Sequence, residues 1–534
     1  MTTPIADLPW LSVLVAVPVA AAALIWLVPG LQKVARPLAL VVSLLVLAGA
    51  VAMVPGFDAS GGYQFAESYS WIPAIGASWA LGINGLGLVM ILLAVALVPI
   101  VIAAAWNEVK PPTIVATVGT EGTDGTDGTD GVANGDARTK ALDRRRAGYV
   151  ALVLLLEAMM IAIFAVRDLF SFYVVFEAML IPVYFMIGVF GGPNRRPAAI
   201  KFLLYSLAGG LVMLAGVIYL LVQTGGGAQA LLLDNLAGTL EGNDTAQLWV
   251  FLSFLLAFAI KAPMVPVHTW LPDAASQAPP GTSALLVGVL DKVGTFAMIA
   301  ICLPLFPDAV ANAAPYLVVL AIISIIYGGI LAIGQRDVMR LIAFTSVSHF
   351  GLIVLGIFVG TQTAMTGSMI YMVAHGVSTA ALFLVAGFLT QRGGSQQMSA
   401  YSGMQRVVPV LAGVFLISGL ATLALPGLSG FVPEYLVLLG SFEANAAAGV
   451  FAVVGVVLSA LYILLAYQKI FTGPAIEDTT VSGLPTMSDL SARERWTMAP
   501  LVIAMIALGF FPGPVLDLLT PAADQFAAIL GSAS

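Results

Sequence analysis

Apolar runs of about twenty residues, interrupted by short polar segments, recur along the chain near residues 8–29, 37–55, 80–105, 147–166, 169–190, 198–222, 248–270, 282–303, 315–333, 339–359, 364–389, 408–440, 448–470 and 498–518. That length matches the hydrocarbon thickness that a helix rising 1.5 Å per residue must cross. The runs are long and rich in Leu, Val and Ala, unlike the weakly alternating ten-residue segments of a membrane barrel. The pattern therefore predicts an all-α, polytopic membrane protein with about fourteen transmembrane helices.

Basic residues give the orientation, because Lys and Arg concentrate in cytoplasmic loops. Of 21 such residues, Lys261 and Lys292 fall inside spans and Arg167 follows an even-numbered span. All the others, from Lys33 and Arg36 to Arg493 and Arg495, follow odd-numbered spans. This bias predicts that both termini lie on the non-cytoplasmic side. Met1 to Asp7 has no basic n-region, so the first run is expected to be a retained span.

Composition agrees: 60% of the 534 residues are hydrophobic and 9% are charged, against roughly 25% charged in a soluble domain. The single cysteine, Cys302, excludes a disulfide framework and an iron–sulfur cluster ligated within the chain. Pro111 to Lys140 is polar and glycine-rich, with Thr-Asp-Gly repeated over Thr123 to Gly131, and is expected to belong to a flexible cytoplasmic loop. No glutamate closes an EF-hand at the required distance, so no metal site is expected there.

The expected organisation is 1–110 for the first three spans, 111–146 for the loop, 147–303 and 315–470 for two five-span repeats, and 498–534 for the last span and tail.

A charged side chain at mid-span costs roughly 2.5–3.5 kcal/mol on insertion scales, so such groups persist mainly where they face protein or water and find a partner. Seven spans carry one: Glu157, Glu177, Lys261, Lys292, His349, His375 and Glu434. Each alone could be a structural ion pair. Seven in seven different spans favour a proton path, with Glu177 and Lys261 its strongest members and Glu157, His375 and Lys292 more evenly balanced. His268, near the cytoplasmic end of the seventh span, is expected to hold the broken backbone by a hydrogen bond.

Two spans are also interrupted. Lys261 to His268 contains Pro263 and Pro266; Leu425 to Glu434 contains Pro426, Gly427, Gly430 and Pro433. Each proline removes a backbone donor, and broken backbone at membrane depth is tolerated only where protein or water meets it. The interrupted spans, seventh and twelfth, lie five apart, so they cross in opposite directions. This suits an inverted repeat of spans 4–8 and 9–13, in which paired discontinuous helices mark a transport site.

A lysine in a low-dielectric interior loses much of its preference for the charged form, and a nearby carboxylate restores it. If Glu177 approaches Lys261, weakening that contact releases the lysine's proton to the next site. Lys292 and His349 are the candidates for the relay, and Glu434 for the exit side.

At these residues the sequence resembles the antiporter-like membrane subunits of respiratory complex I and of the multisubunit cation/proton antiporters. The resemblance covers nearly the whole chain and is densest in Phe176 to Pro182, Lys261 to Pro279, Arg340 to His349 and Pro426 to Glu434. It implies that Glu177 and Lys261 form the pair of the first half-channel, Lys292 and His349 the central connection, and Glu434 the end of the second half-channel. A glutamate at the twelfth-span break resembles the M-type branch; N-type chains and most antiporters have lysine there. An L-type chain would carry a long lateral helix, whereas about fifteen residues follow the last span here.

The implied protein is a proton-pumping subunit of a bacterial inner-membrane NADH-quinone oxidoreductase, driven by quinone reduction elsewhere and inactive alone. Its implied partners are L-type and N-type chains and the lipid bilayer, with no nucleic acid. Flavin, nicotinamide, cluster and metal cofactors are expected to be absent from this chain.

The nearest alternative is a subunit of a Na+/H+ or K+/H+ antiporter. Sodium prefers a cage of oxygens, whereas this row offers ammonium and imidazole groups. A non-transporting membrane scaffold is a third reading, and the acids and bases beside the two breaks argue against it.

Overall fold

The computed structural model describes residues 8–109, 129–227, 229–474 and 487–532, with backbone only at 129–137 and 531–532. Without water in the hydrocarbon, each spanning segment must satisfy its own backbone, and the apolar runs do so as helices. In chain order they are α1 (Trp10–Leu27), α2 (Ala35–Met53), α3 (Gly85–Ala104), α4 (Thr129–Ala165), α5 (Leu169–Ala178), α6 (Leu180–Phe190) and α7 (Arg195–Gln223). These are followed by α8 (Asp244–Lys261), α9 (Trp270–Gln277), α10 (Pro280–Leu305, with two π-helical turns), α11 (Pro307–Ile333) and α12 (Val338–Phe358). The remaining helices are α13 (Gln362–Gly393), α14 (Pro409–Thr422), α15 (Phe431–Ala444), α16 (Ala446–Phe471), α17 (Ala492–Phe510) and α18 (Gly513–Ser532).

Among the described residues, twelve stretches are long and apolar enough to cross a membrane, and α17 with α18, taken as one bent span, makes a thirteenth. The bundle is layered by burial. The most apolar stretches of α10, α12 and α13 are wholly enclosed by protein, whereas only about a third of those of α1 and α2 is buried. Large apolar side chains such as Leu27, Val222, Trp249 and Val457 are exposed on the outer helices, as expected of surfaces that lipid solvates. The enclosed trio carries Lys292, His349 and His375.

The structure departs from the expected organisation in four places. Residues 110–128 lie outside the described segments, but 129–146 of the expected loop are helical, an extension of α4 below its apolar part. Arg145 anchors this extension by donating to the Val189 carbonyl at 2.8 Å and lying over the Phe190 ring.

The expected third span begins too early: residues 77–83 form a strand, β2, paired antiparallel with β1 (Gln64–Ile72). This hairpin is functional packing for α1, whose N-cap position is Pro9 and supplies no side-chain acceptor. Glu67 of β1 accepts hydrogen bonds from the Leu11 and Ser12 amides at 2.7 and 3.3 Å, meeting orphan donors at the helix start.

The last span is also not the end of the helical structure. At Phe511 and Pro512 the chain bends by 67° into α18, which lies against α13 and α3 and buries Leu519, Ala523 and Phe526.

Finally, His268 does not hold the broken backbone through its ring. Its Nδ1 has no hydrogen-bond partner, and the ring packs edge-on against Tyr327 and Phe344. The backbone after α8 is secured instead by Trp270, whose Nε1 donates to the Ile260 carbonyl at 2.8 Å, and by Ser324, whose hydroxyl accepts from the Val265 amide at 3.0 Å.

Beside this break, Asp273 of α9 joins three helices by binding Lys201 of α7 at 2.7 Å and Arg340 of α12 at 2.5 Å. Burial alone would raise its carboxyl, but the hydrogen bonds and charges of Lys201 and Arg340 outweigh it and hold the group below its ordinary value of 3.8. A lowered folded-state value contributes stability above the unfolded value, and this is lost as pH falls through the folded one. Asp273→Asn is therefore expected to cost about 1 kcal/mol at neutral pH, given the partial exposure of all three groups. In thermal unfolding of the purified protein the deficit should vanish as pH drops below the ordinary aspartate range; a deficit that persisted there would have another origin.

Candidate functional site

The acids and bases expected from the sequence converge on the enclosed core rather than on outer faces. Glu177 stands near the end of α5, half-buried, with one carboxylate oxygen free of hydrogen bonds. That oxygen occupies the space over Gly210 of α7, where any β-carbon would collide with it. Lys261, the last residue of α8, is buried, and its Nζ lies 4.9 Å from the centre of the Phe176 ring. This cation–π contact stabilises an ammonium by about 0.5–2 kcal/mol. No hydrogen bond is made by its Nζ, and the carboxylates that act on it electrostatically are Glu177 and Asp291.

From the next lysine onward the groups touch. Lys292 is wholly buried in α10, and its Nζ reaches the Val287 carbonyl and, at 2.7 Å, the Nδ1 of His375 on α13. As an ammonium, Lys292 donates to Nδ1 and so places the imidazole proton on Nε2, which has no hydrogen-bond partner. The His375 ring lies 5.3 Å from that of His349 on α12. His349 contacts two tyrosines in turn: its Nε2 is 3.2 Å from the Tyr462 hydroxyl, and its ring is 5.9 Å from that of Tyr371. The Tyr371 hydroxyl donates to a carboxylate oxygen of Glu434 at 3.0 Å, leaving the other oxygen unpartnered.

The resulting row is Glu177, Lys261, Lys292, His375, His349, the tyrosine pair and Glu434. Hydroxyls and imidazoles alternate between donor and acceptor, so this arrangement can take up a proton at one member and release it at the next.

Two expected members stand apart. Glu157 is buried on α4 with neither oxygen hydrogen-bonded, and no charged group acts on it. His268 sits in its aromatic slot between α11 and α12.

Three residues of the site escaped the sequence reading. Asp291 carried the same signal as the others, a charge in an apolar run, but was masked by its neighbour Lys292. Tyr371 precedes His375 by four residues and so shares its helix face. Tyr462 offered no signal, since a single tyrosine in an apolar helix is ordinary.

The packing of Glu177 makes a direct prediction. Gly210→Val should evict the carboxylate from its place over α7 and lower proton pumping about tenfold, while Gly210→Ala has a smaller effect. Each tenfold corresponds to about 1.4 kcal/mol. Pumping by the valine variant at the normal rate, in an assembled complex, would show that the position of Glu177 is immaterial.

An enclosed helical core carrying a row of proton-titratable side chains, in contact from Lys292 to Glu434, defines a membrane protein of the ion-translocating class. Comparison with known proteins narrows this. Residues 166–459 match the transmembrane family described as NADH:quinone oxidoreductase/Mrp antiporter, and the chain belongs to that family. It is 45% identical to NADH-quinone oxidoreductase subunit M of Mycobacterium tuberculosis, over 98% of this chain and 95% of that one. It is 34% identical to subunit M of Rhodobacter capsulatus, over 96% and 95%. Among solved structures, a chain of respiratory complex I from Thermus thermophilus with bound NADH superimposes with a TM-score of 0.80 at 32% identity, covering 96% of this chain and 100% of that chain. A chain of the Mrp complex from Dietzia shares the fold, with a TM-score of 0.82 at 23% identity, over 98% and 99%.

Proposed function

We propose that this chain is the M-type proton-translocating membrane subunit of an NADH-quinone oxidoreductase, in which quinone reduction elsewhere in the complex drives protons along its buried row. The single observation that carries the reading is the unbroken contact from Lys292 through His375, His349 and Tyr371 to Glu434 inside helices that protein encloses. In this reading Glu177 and Lys261 load the first half-channel. Lys292 and the two histidines connect the halves, and Glu434 discharges the second. Glu157 and His268 are subsidiary.

The relatives' names support assembly with other membrane subunits of complex I, and we assign the L-type and N-type chains as neighbours in the bacterial inner membrane. Both termini face away from the cytoplasm, following the distribution of Lys and Arg. Helices α4–α10 and α11–α16 are assigned as inverted repeats. Electrons travel outside this chain, which binds no flavin, nicotinamide or cluster.

The antiporter alternative requires a site for Na+ or K+. Hard cations of this kind take oxygen ligands, and the middle of the row consists of an ammonium and two imidazoles. Proton transport by the purified complex in proteoliposomes is therefore expected to proceed at an unchanged rate when sodium and potassium are replaced by choline. Pumping that stops without an alkali cation would move the assignment to the antiporters.

A further inference from the structure

Asp291 has no exposed surface, and neither of its carboxylate oxygens takes a hydrogen bond from a protein donor. A buried carboxylate left in this state calls for an explanation. Two local features place it. The five residues before it, Leu286–Leu290, form a π-helical turn, and the Asp291 amide donates to the Leu286 carbonyl five residues back, at 3.1 Å. Such turns re-aim the residues that follow and concentrate at functional positions. Three residues later, on the same helix face, Gly294 lies so close to α8 that a β-carbon would strike the Phe258 carbonyl and the Ala262 amide. Helix α10 thus closes on the end of α8, where Lys261 stands.

The charged groups that act on Asp291 are Lys292 on its own helix and Lys261 across this contact. Glu157, on the adjoining α4, is likewise buried without a hydrogen bond and is not among the charged groups that act on Asp291. Asp291 thus stands beside Lys292 on α10, in the stretch that closes on the end of α8, and both lysines act on its carboxylate.

We propose that Asp291 is a proton-carrying residue that joins the Lys261 site to Lys292. The proposal rests on the proton-translocating reading above. In the first step an N–H bond of the Lys261 ammonium breaks, its electron pair stays on nitrogen, and an O–H bond forms on the Asp291 carboxylate. An ion pair becomes a neutral amine and a neutral acid. In the second step the acid's O–H breaks and the proton joins the free amine of Lys292, restoring the carboxylate beside a new ammonium. Each step conserves the net charge of the reacting pair, so the transfer creates no new net charge in the low-dielectric core. Glu177 then serves as the outer counter-ion of Lys261 and Asp291 as the inner one, through which the proton leaves.

The test uses the intact complex in proteoliposomes, with Asp291→Asn, Asp291→Glu and, in parallel, Lys261→Ala. The amide matches the carboxylate in shape but cannot carry a proton, so D291N should lower pumping about 100-fold, the usual scale for a lost acid–base group. D291E keeps the function and should pump with a displaced pH profile. If D291N does not assemble, the D291E profile decides alone. Full pumping by D291N, or a D291E profile identical to that of the unaltered protein, overturns the role of Asp291. Normal pumping by Lys261→Ala would instead overturn the wider reading.

Discussion

Replacing Lys261 with alanine is expected to reduce proton pumping by the assembled complex about 100-fold or more, with quinone reduction in coupled membranes falling in step. The magnitude is that of removing a positioned acid–base group, and the reason is geometric. Lys261 is buried at the end of α8 against the Phe176 ring, where Glu177 and Asp291 are the carboxylates that act on it, and removing it takes away the cation they share. Burying charge without a partner costs several kcal/mol, so Glu177, whose acting cation is Lys261, would hold its proton, while Asp291 would keep Lys292 alone. A second substitution separates carrying a proton from merely holding charge. Lys261→Arg preserves the cation but cannot give up its proton in a protein, and it should fail nearly as completely as alanine. The comparison is made by fluorescence quenching of a pH dye in proteoliposomes. An arginine variant that pumps at the normal rate would reduce Lys261 to an electrostatic anchor.

The second large effect is expected at Lys292. Methionine at this position fills a similar volume with an apolar chain but breaks the 2.7 Å contact to His375. The row then divides into a Glu177–Lys261–Asp291 group and a histidine–tyrosine–Glu434 group. Pumping should fall about 100-fold while α10, already enclosed by apolar neighbours, keeps its place and the complex assembles. Removing the lysine takes a cation from the buried Asp291 carboxylate, and breaking a buried pair in this way is destabilising, so the Tm of Lys292→Met should fall below that of the unaltered protein. Normal pumping by an assembled Lys292→Met complex would overturn the relay.

These predictions show how unevenly the site could be read from the chain. Glu177, Lys261, Lys292, His349, His375 and Glu434 were legible because a charge or imidazole in an apolar run stands out whatever surrounds it. Glu157 satisfied the same criterion and yet stands alone on α4. Asp291, Tyr371 and Tyr462 gained significance only from their neighbours. The hairpin of β1 and β2 was hidden because Ala77–Ile83 is apolar enough to pass for the start of a span, although Gln64–Ile72 beside it is a polar, half-exposed strand. Likewise α18, which is amphipathic rather than uniformly apolar, falls outside a search for spans.

The sequence by itself determined that the chain crosses a membrane many times as helices, and which ionisable groups are carried into the hydrocarbon. Both follow from the cost of bare backbone and bare charge in lipid, which any run of residues must meet locally. What only the tertiary structure decided is which faces meet. Lipid tails are as apolar as a protein interior, so an apolar pattern that would mark the inward face of a soluble helix carries no such mark here. The π-helical turn before Asp291 and the closure of Gly294 on α8 turn side chains by amounts that residue order does not record. They bring the stretch of α10 that carries Asp291 and Lys292 against the end of α8.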